Sequence, residues 1–498
     1  MTILRNVLGV GFATLASRLL GFLRDTLIAS VLGAGPVADA FVMALRLPNL
    51  FRRLFAEGAF AAAFVPSFVA LRAEEGGDAA RRFAGAAAVV LVAAVLALTV
   101  AVWIWAEPIV ALLAPGWADD PEKIGLAARF TRLTFPYLAG VTVVALLGGL
   151  LAADRRFLAA AFAPVLFNLA LIAVLLGARL AGEPPGSRIG TALAATVAAA
   201  GVAQMLLLVV VAHRAGALPR FAAPIPVAAL RRFGRALGPG LVAGGFVEIN
   251  IVVATAIASI EPGAVSWLYY ADRLYQLPLG LVGIAVGQVL LPEIADAAVR
   301  RDPAVHDVQN RALEFASALV LPAAVGLVLL ADPIVDVLFR RGAFSAADVD
   351  AAARALAILA IGLPAAVAVR LFSAAHWGRG DTRTPMLCGV AAVVLNVALA
   401  LALRPLFGWI AVAWAGSAAV SANALLLLAT LRRGGGWRFD AVARRRLPRI
   451  GLAALGMGAV VIGLDRAGLD AFVAAPELAP RLLGLAALIL AGMAAHAG

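Results

Sequence analysis

The chain has 498 residues, 63% of them hydrophobic and 14% charged, with a formal net charge of +12. Soluble domains run nearer half apolar and a quarter charged, and disordered chains have the opposite balance, so both are excluded and a polytopic membrane protein remains. The basic residues are arginines apart from Lys123, and in a membrane chain their placement must be read before the charge is taken for a nucleic-acid surface.

A bilayer core of about 30 Å takes roughly 20 mostly apolar residues per helix. On that measure the chain predicts an all-α fold with fourteen spans, at 7–32, 38–70, 84–106, 126–152, 158–179, 189–212, 238–260, 266–296, 313–338, 353–375, 386–404, 408–431, 450–465 and 481–497. Arg5 and the apolar run from Val7 to Leu15 imitate a signal peptide, but no small-x-small cleavage site follows and apolar sequence continues to Leu32, so this is read as the first span. Gly33-Ala34-Gly35-Pro36, Pro184-Pro185-Gly186 and Gly434-Gly435-Gly436 are turn signals between spans.

Alternate connections carry the arginines: Arg72, Arg81 and Arg82; Arg155 and Arg156; Arg214, Arg220, Arg231, Arg232 and Arg235; Arg300, Arg301 and Arg311; Arg379 and Arg383; and the run from Arg432 to Arg449. The remaining connections hold acids such as Asp119, Asp120, Glu122, Glu261, Asp465 and Asp470. The positive-inside rule then places both termini in the cytoplasm, and most of the +12 is a topology signal. Other chemistries are poorly served. Cys388 is the single cysteine, the four histidines are scattered, and no phosphate-binding G-x-x-x-x-G-K-[ST] occurs, so neither a catalytic set nor a cofactor is expected.

The chain resembles itself at a near-constant offset. Asp39 and Ser266, Arg46 and Arg273, and Asp154 and Asp381 are 227 apart, while Pro136 and Pro364, and Asn168 and Asn396, are 228 apart. Glu107-Pro108-Ile109-Val110 recurs as Asp332-Pro333-Ile334-Val335. A duplication of six spans per copy predicts two lobes of the same orientation, with a substrate path between them and alternating access by rocking. The expected organisation is an N-lobe over 1–212, a basic cytoplasmic linker over 213–237, a C-lobe over 238–431, and two further spans over 432–498.

Charge inside the first spans is the informative anomaly. Span 1 carries Arg18, Arg24 and Asp25; span 2 carries Asp39, Arg46, Arg52, Arg53 and Glu57 around a kinking Pro48. A central charge costs about 2.5–3.5 kcal/mol, and each Leu, Ile, Phe or Val returns only about 0.3–0.6. Such residues must face water or one another. Snorkelling from helix ends is one alternative, and pairing of Arg24 with Asp25 or Asp39, and of Arg273 with Asp272, is another. Arginines nonetheless outnumber the acids, which calls for an anion, and guanidinium forks match phosphate oxygens. Gly21, Gly33, Gly35, and Gly238 to Gly245 around Pro239 allow bending or close helix approach.

Several long segments carry a resemblance: Ser17-Arg18-Leu19-Leu20-Gly21-Phe22-Leu23-Arg24-Asp25, Asp39-Ala40-Phe41, Leu47-Pro48-Asn49-Leu50-Phe51-Arg52-Arg53-Leu54-Phe55-Ala56-Glu57-Gly58-Ala59-Phe60, Tyr269-Tyr270-Ala271-Asp272-Arg273-Leu274 and Leu290-Leu291-Pro292. Together they closely resemble the MurJ/MviN family of lipid II flippases, within the multidrug/oligosaccharidyl-lipid/polysaccharide exporter superfamily. The resemblance implies transport of undecaprenyl-pyrophosphoryl-MurNAc-pentapeptide-GlcNAc (lipid II) to the outer leaflet of the bacterial inner membrane. It also implies substrate-binding roles for Arg18, Arg24, Asp25, Asp39, Asn49, Arg52 and Arg273, and a polyprenyl-tail groove at spans 13 and 14. Lipid II and membrane lipids are the expected partners of a monomer associated with cell-wall synthesis proteins, without nucleic acid. Some family members bind sodium; Glu248, Asn250 and Asn396 are the corresponding oxygen-bearing residues, but Ala400 stands where a further carboxylate would be needed. The alternative is a flippase for another polyprenyl-pyrophosphate-linked oligosaccharide.

Overall fold

The computed structural model describes residues 2–55, 59–224, 227–285, 305–464 and 478–497. Glu57, Leu290-Leu291-Pro292, Arg300, Arg301, Asp465 and Asp470 therefore lie outside the described residues. Among those described there are nineteen α-helices and no strand. Eight helical stretches, including Gly77–Ile104, Leu158–Leu180 and Ser187–Arg214, are long and apolar enough to cross a bilayer.

The chain divides into two compact units, 1–266 and 267–498. The first is built from Thr2–Leu32 (α1), Pro36–Phe55 (α2), Ala59–Glu75 (α3), Gly77–Ile104 (α4), Ala106–Leu113 (α5), Pro121–Thr134 (α6), Tyr137–Ala153 (α7), Leu158–Leu180 (α8), Ser187–Arg214 (α9) and Val227–Ala258 (α10). Ala264–Ala285 (α11) carries the chain on. The second unit continues with Val305–Leu329 (α12), Ala331–Phe339 (α13), Ala346–Ile361 (α14), Leu363–Trp377 (α15), Arg383–Phe407 (α16), Ala411–Arg433 (α17), Ala441–Leu464 (α18) and Leu478–Ala497 (α19).

Three expected spans prove to be pairs of helices. The stretch read over 126–152 is α6 followed by α7, that over 313–338 is α12 followed by α13, and that over 353–375 is α14 followed by α15. Proline explains two of the breaks, because it lacks the amide proton a continuous helix needs and clashes with the preceding turn. Pro136 immediately precedes α7 and Pro364 lies in the first turn of α15. These prolines are related by the internal offset, so the two copies break at matching places. The Glu107/Asp332 landmarks behave alike: each follows a kinked residue, Trp105 or Leu330, and opens a short helix, α5 or α13.

In unit 1, α1 lies against α8, α2 against α6, α7 against α9, and α3 against α10. An aromatic cluster fills the core among α3, α4 and α10: Phe60 stacks on Phe64 at 5.1 Å, and Phe233 meets Phe64 edge-on at 6.1 Å. The α7–α9 crossing depends on glycine. A Cβ at Gly140 would lie 2.7 Å from the Gly201 carbonyl oxygen, a backbone atom that cannot step aside. Gly140→Ala should therefore lower stability by about 1–3 kcal/mol through overpacking. Gly21→Ala, whose Cβ would meet Asn168 at an ordinary 3.5 Å, should leave stability nearly unchanged. Thermal unfolding in detergent compares them, and equal midpoints would contradict the packing argument.

In unit 2, α18 and α19 pack together, and α18 also lies along α12. Trp437 is buried, meets Phe372 edge-on at 5.0 Å and donates its indole N–H to Asn310 (3.2 Å). Two carboxylates outside the apolar stretches cap helices. Asp381 accepts from the Thr384 N–H (2.9 Å) at the start of α16, and Asp440 accepts from the Ala443 N–H at the start of α18 and from Arg311. Those backbone bonds chiefly, with His376 beside Asp381 and Arg311 beside Asp440 adding to them, hold both carboxyls below the usual aspartate range. Because the folded-state values are lowered, each contribution to stability is complete above the ordinary aspartate value of about 3.9 and is lost as pH falls from there through the folded-state values. The unfolding midpoint should drop between pH 6 and pH 3, and should drop less in Asp381→Asn or Asp440→Asn.

Candidate anion site and its supporting charges

On α1, Ser17, Gly21 and Arg24 are spaced four and three residues apart and so share one face, the face that meets α8. Arg24 donates from Nε and Nη2 to Asp25 Oδ1 (2.9 and 2.7 Å) and from Nη1 to Asn168 Oδ1 (2.9 Å). Its guanidinium also lies 5.5 Å from the centre of the Phe167 ring. Asp25 is buried, so its carboxylate serves Arg24 directly. Arg18, on another side of the same helix, is exposed.

The α2 residues follow a second pattern. Arg52 Nε donates to Asn49 Oδ1 (3.2 Å), one helical turn back. Arg53 lies 3.5 Å from Glu248 on α10, and Arg46 donates to Thr255 on the same helix. Arg46 and Arg53 of α2 are thus tied to α10 by polar contacts. In unit 2, Arg273 on α11 sits over the Tyr269 ring at 4.6 Å, and Gln276 donates to Asp272. The expected site residues consequently fall in both units: Arg18, Arg24, Asp25, Asp39, Asn49 and Arg52 in the first, Arg273 in the second.

Of the two acids weighed as partners of Arg24, Asp25 takes that place and Asp39 does not. Asp39 is fully buried, and it pairs with Lys123 rather than Arg24: Lys123 Nζ lies 2.8 Å from Asp39 Oδ2. The same carboxylate accepts from the Gly263 N–H (2.9 Å), the Ser266 N–H (3.0 Å) and the Ser266 hydroxyl (2.7 Å). Amide protons at a helix start have no partner within the helix, and an anion there is favoured by the helix dipole. Asp39 therefore closes the start of α11 while it neutralises Lys123. The ammonium is itself buried, and the Trp117 ring lies 4.4 Å away. Close by, the Gly116 N–H donates to Ser259 Oγ (2.9 Å), and a Cβ at Gly116 would come within 2.5 Å of Ile260 backbone.

Sequence reasoning missed two participants. Lys123 was read as part of an acidic outer connection; its status as the lone lysine was the available signal. Asn168 was noted as a repeat landmark but given no role beside Arg24. Of the sodium candidates, Glu248 faces Arg53, and among the described residues no group of three His, Cys, Asp or Glu could hold a metal. A cavity of about 270 Å³ in unit 2, lined by residues including Val320, Val367, Phe372 and Leu428, is mostly apolar and has no cationic side chain in its lining.

Many apolar helices, with arginine–carboxylate and arginine–amide sets built into them, define a multi-pass helical membrane protein. The fold agrees. The structure of "Lipid II flippase MurJ, inward closed conformation" aligns over 98% of this chain and 96% of that one with a TM-score of 0.81 at 24% identity. A multidrug resistance MATE family transporter of the MOP superfamily, in an inward-facing conformation, aligns over 84% and 95% with a TM-score of 0.70 at 14% identity. The chain belongs to the lipid II flippase MurJ family: the model of that family matches residues 28–476. A probable lipid II flippase MurJ of Rhizobium meliloti (strain 1021) is 44% identical over all of this chain and 93% of its own length. That of Rhizobium tropici is 39% identical over the same shares. Family membership and the eight apolar stretches make this a multi-pass protein of the bacterial inner membrane.

Proposed function

We propose that this chain carries lipid II from the cytoplasmic to the outer leaflet by alternating access, with the pyrophosphate held by Arg18, Arg24, Arg52 and Arg273. The observation that carries the reading is the mounting of Arg24: a guanidinium held from two sides, by Asp25 and Asn168, within an apolar helix pair. An arginine kept charged at membrane depth is costly unless something uses the charge, and a pyrophosphate offers oxygens that match its fork. In this reading Asn49 orients Arg52, Asp25 orients Arg24, and Asp39 acts on the architecture through Lys123 and α11. Both termini are cytoplasmic and the lobes are 1–212 and 238–431, joined by the linker 213–237. Spans 13 and 14, over 432–498, accommodate the polyprenyl tail. The protein works as a monomer in contact with cell-wall synthesis proteins.

Purified protein in vesicles tests the cargo. Fluorescent lipid II should cross the bilayer on addition of the protein, and an O-antigen unit linked to the same polyprenyl pyrophosphate should not. Equal movement of both would favour the alternative reading, a less selective flippase of polyprenyl-pyrophosphate-linked oligosaccharides.

A further inference from the structure

Asn168 lies mid-way along α8, on a stripe whose other buried members, Val165, Leu171, Ile172 and Leu175, are apolar. It is itself only 5% exposed. An amide in such a setting is stable only if its donor and acceptor are both used. They are: Nδ2 donates to the Ser17 carbonyl oxygen (3.0 Å), and Oδ1 accepts from Arg24 Nη1 (2.9 Å). Gly21 lies between those two contacts on α1, and even a Cβ there would rest at an ordinary contact distance from the amide, 3.5 Å from Nδ2. One side chain of α8 is thus bonded to two positions, Ser17 and Arg24, on one face of α1.

We infer that Asn168 is a positioning residue for transport, setting the direction of the Arg24 guanidinium toward the anionic group of the cargo. The inference rests on the reading of Arg24 as an anion-binding group. Two features carry it. The bond to Ser17 fixes the amide to the backbone of α1, so the bond from Arg24 meets an acceptor that cannot swing away. The acceptor is also neutral. Asp25 already places one negative charge on Arg24, and a second carboxylate at position 168 would satisfy the same hydrogen bond while cancelling the attraction that an incoming pyrophosphate needs. An amide orients without neutralising.

The test is a double-mutant cycle on purified full-length protein, with undecaprenyl pyrophosphate in detergent as the ligand and thermal unfolding measured alongside. Asn168→Ala should weaken binding about tenfold, the usual scale for a hydrogen bond to a charged group. In an Arg24→Ala background the same substitution should change nothing further. An additive loss in that background, or unchanged affinity in Asn168→Ala alone, overturns the inference and leaves the anion-site reading standing. If Arg24→Ala itself binds normally, that reading fails and takes this one with it. Asn168→Asp, nearly the same size, covers the case in which the alanine variant does not fold. Positioning by a neutral acceptor predicts weaker binding with a flatter salt dependence, whereas wild-type affinity would show that the charge at this position is immaterial and refute the inference.

Discussion

Asp39→Ala should destabilise the protein by about 3–5 kcal/mol, the scale observed when one member of a buried ion pair is removed. The substitution strips Lys123 of its counter-ion in a place water does not reach, since the lysine is 5% exposed and the aspartate 0%. It also takes the acceptor from the Gly263 and Ser266 amides at the start of α11. Lys123→Met should be milder. The carboxylate left behind keeps three donors, two backbone amides and the Ser266 hydroxyl, and a carboxylate so bonded tolerates burial far better than a bare ammonium does. The double variant Asp39→Asn with Lys123→Met should recover part of the loss, because it removes both charges and retains a carbonyl acceptor for α11. Unfolding midpoints of the wild type, Asp39→Asn, Lys123→Met and the pair form the necessary cycle, with Asp39→Ala measured alongside. Singles that are silent, or a pair that is strictly additive, would show that the two charges are not coupled.

Arg24→Ala should cut lipid II export by about a hundredfold, roughly the effect of losing 3 kcal/mol of charge-assisted hydrogen bonding. Arg24→Lys keeps the charge, yet a single ammonium cannot reproduce a planar fork with Nε and Nη2 on Asp25 and Nη1 on Asn168. A loss of about tenfold is expected for it, intermediate between the wild type and alanine. Arg273→Ala and Arg273→Lys should follow the same order, the lysine retaining a cation over the Tyr269 face. Depletion of the endogenous flippase with complementation measures this through lipid II labelled at the outer surface, with membrane levels of each variant checked by immunoblot. Alanine variants that reach the membrane and export normally would end the pyrophosphate-site reading.

The Ser17–Asp25 and Leu47–Phe60 segments were long enough to point to the family, and their arginines were conspicuous because an apolar background makes each charge an exception. The Arg24–Asp25 pair was also accessible, being a contact between neighbours. Expected helix lengths fared less well: Pro136 and Pro364 were used as repeat landmarks and not as breaks, although proline's missing amide does both jobs. The partner of Asp39 was not accessible as a contact between neighbours, because Lys123 lies 84 residues further along the chain.

By itself the sequence determined that this is an all-helical membrane protein, that it is internally repeated, and which family it belongs to. Those properties are carried by composition, periodicity and local motif, each legible within a few dozen residues. Only the tertiary structure decided which of the charges are spoken for: Asp39 by Lys123 and the start of α11, Arg24 by Asp25 and Asn168, Arg53 by Glu248. A side chain's partner across a helix interface is set by the register and closeness of two packed helices, and at α1 and α8 that register brings Arg24 to an asparagine 144 residues further along the chain.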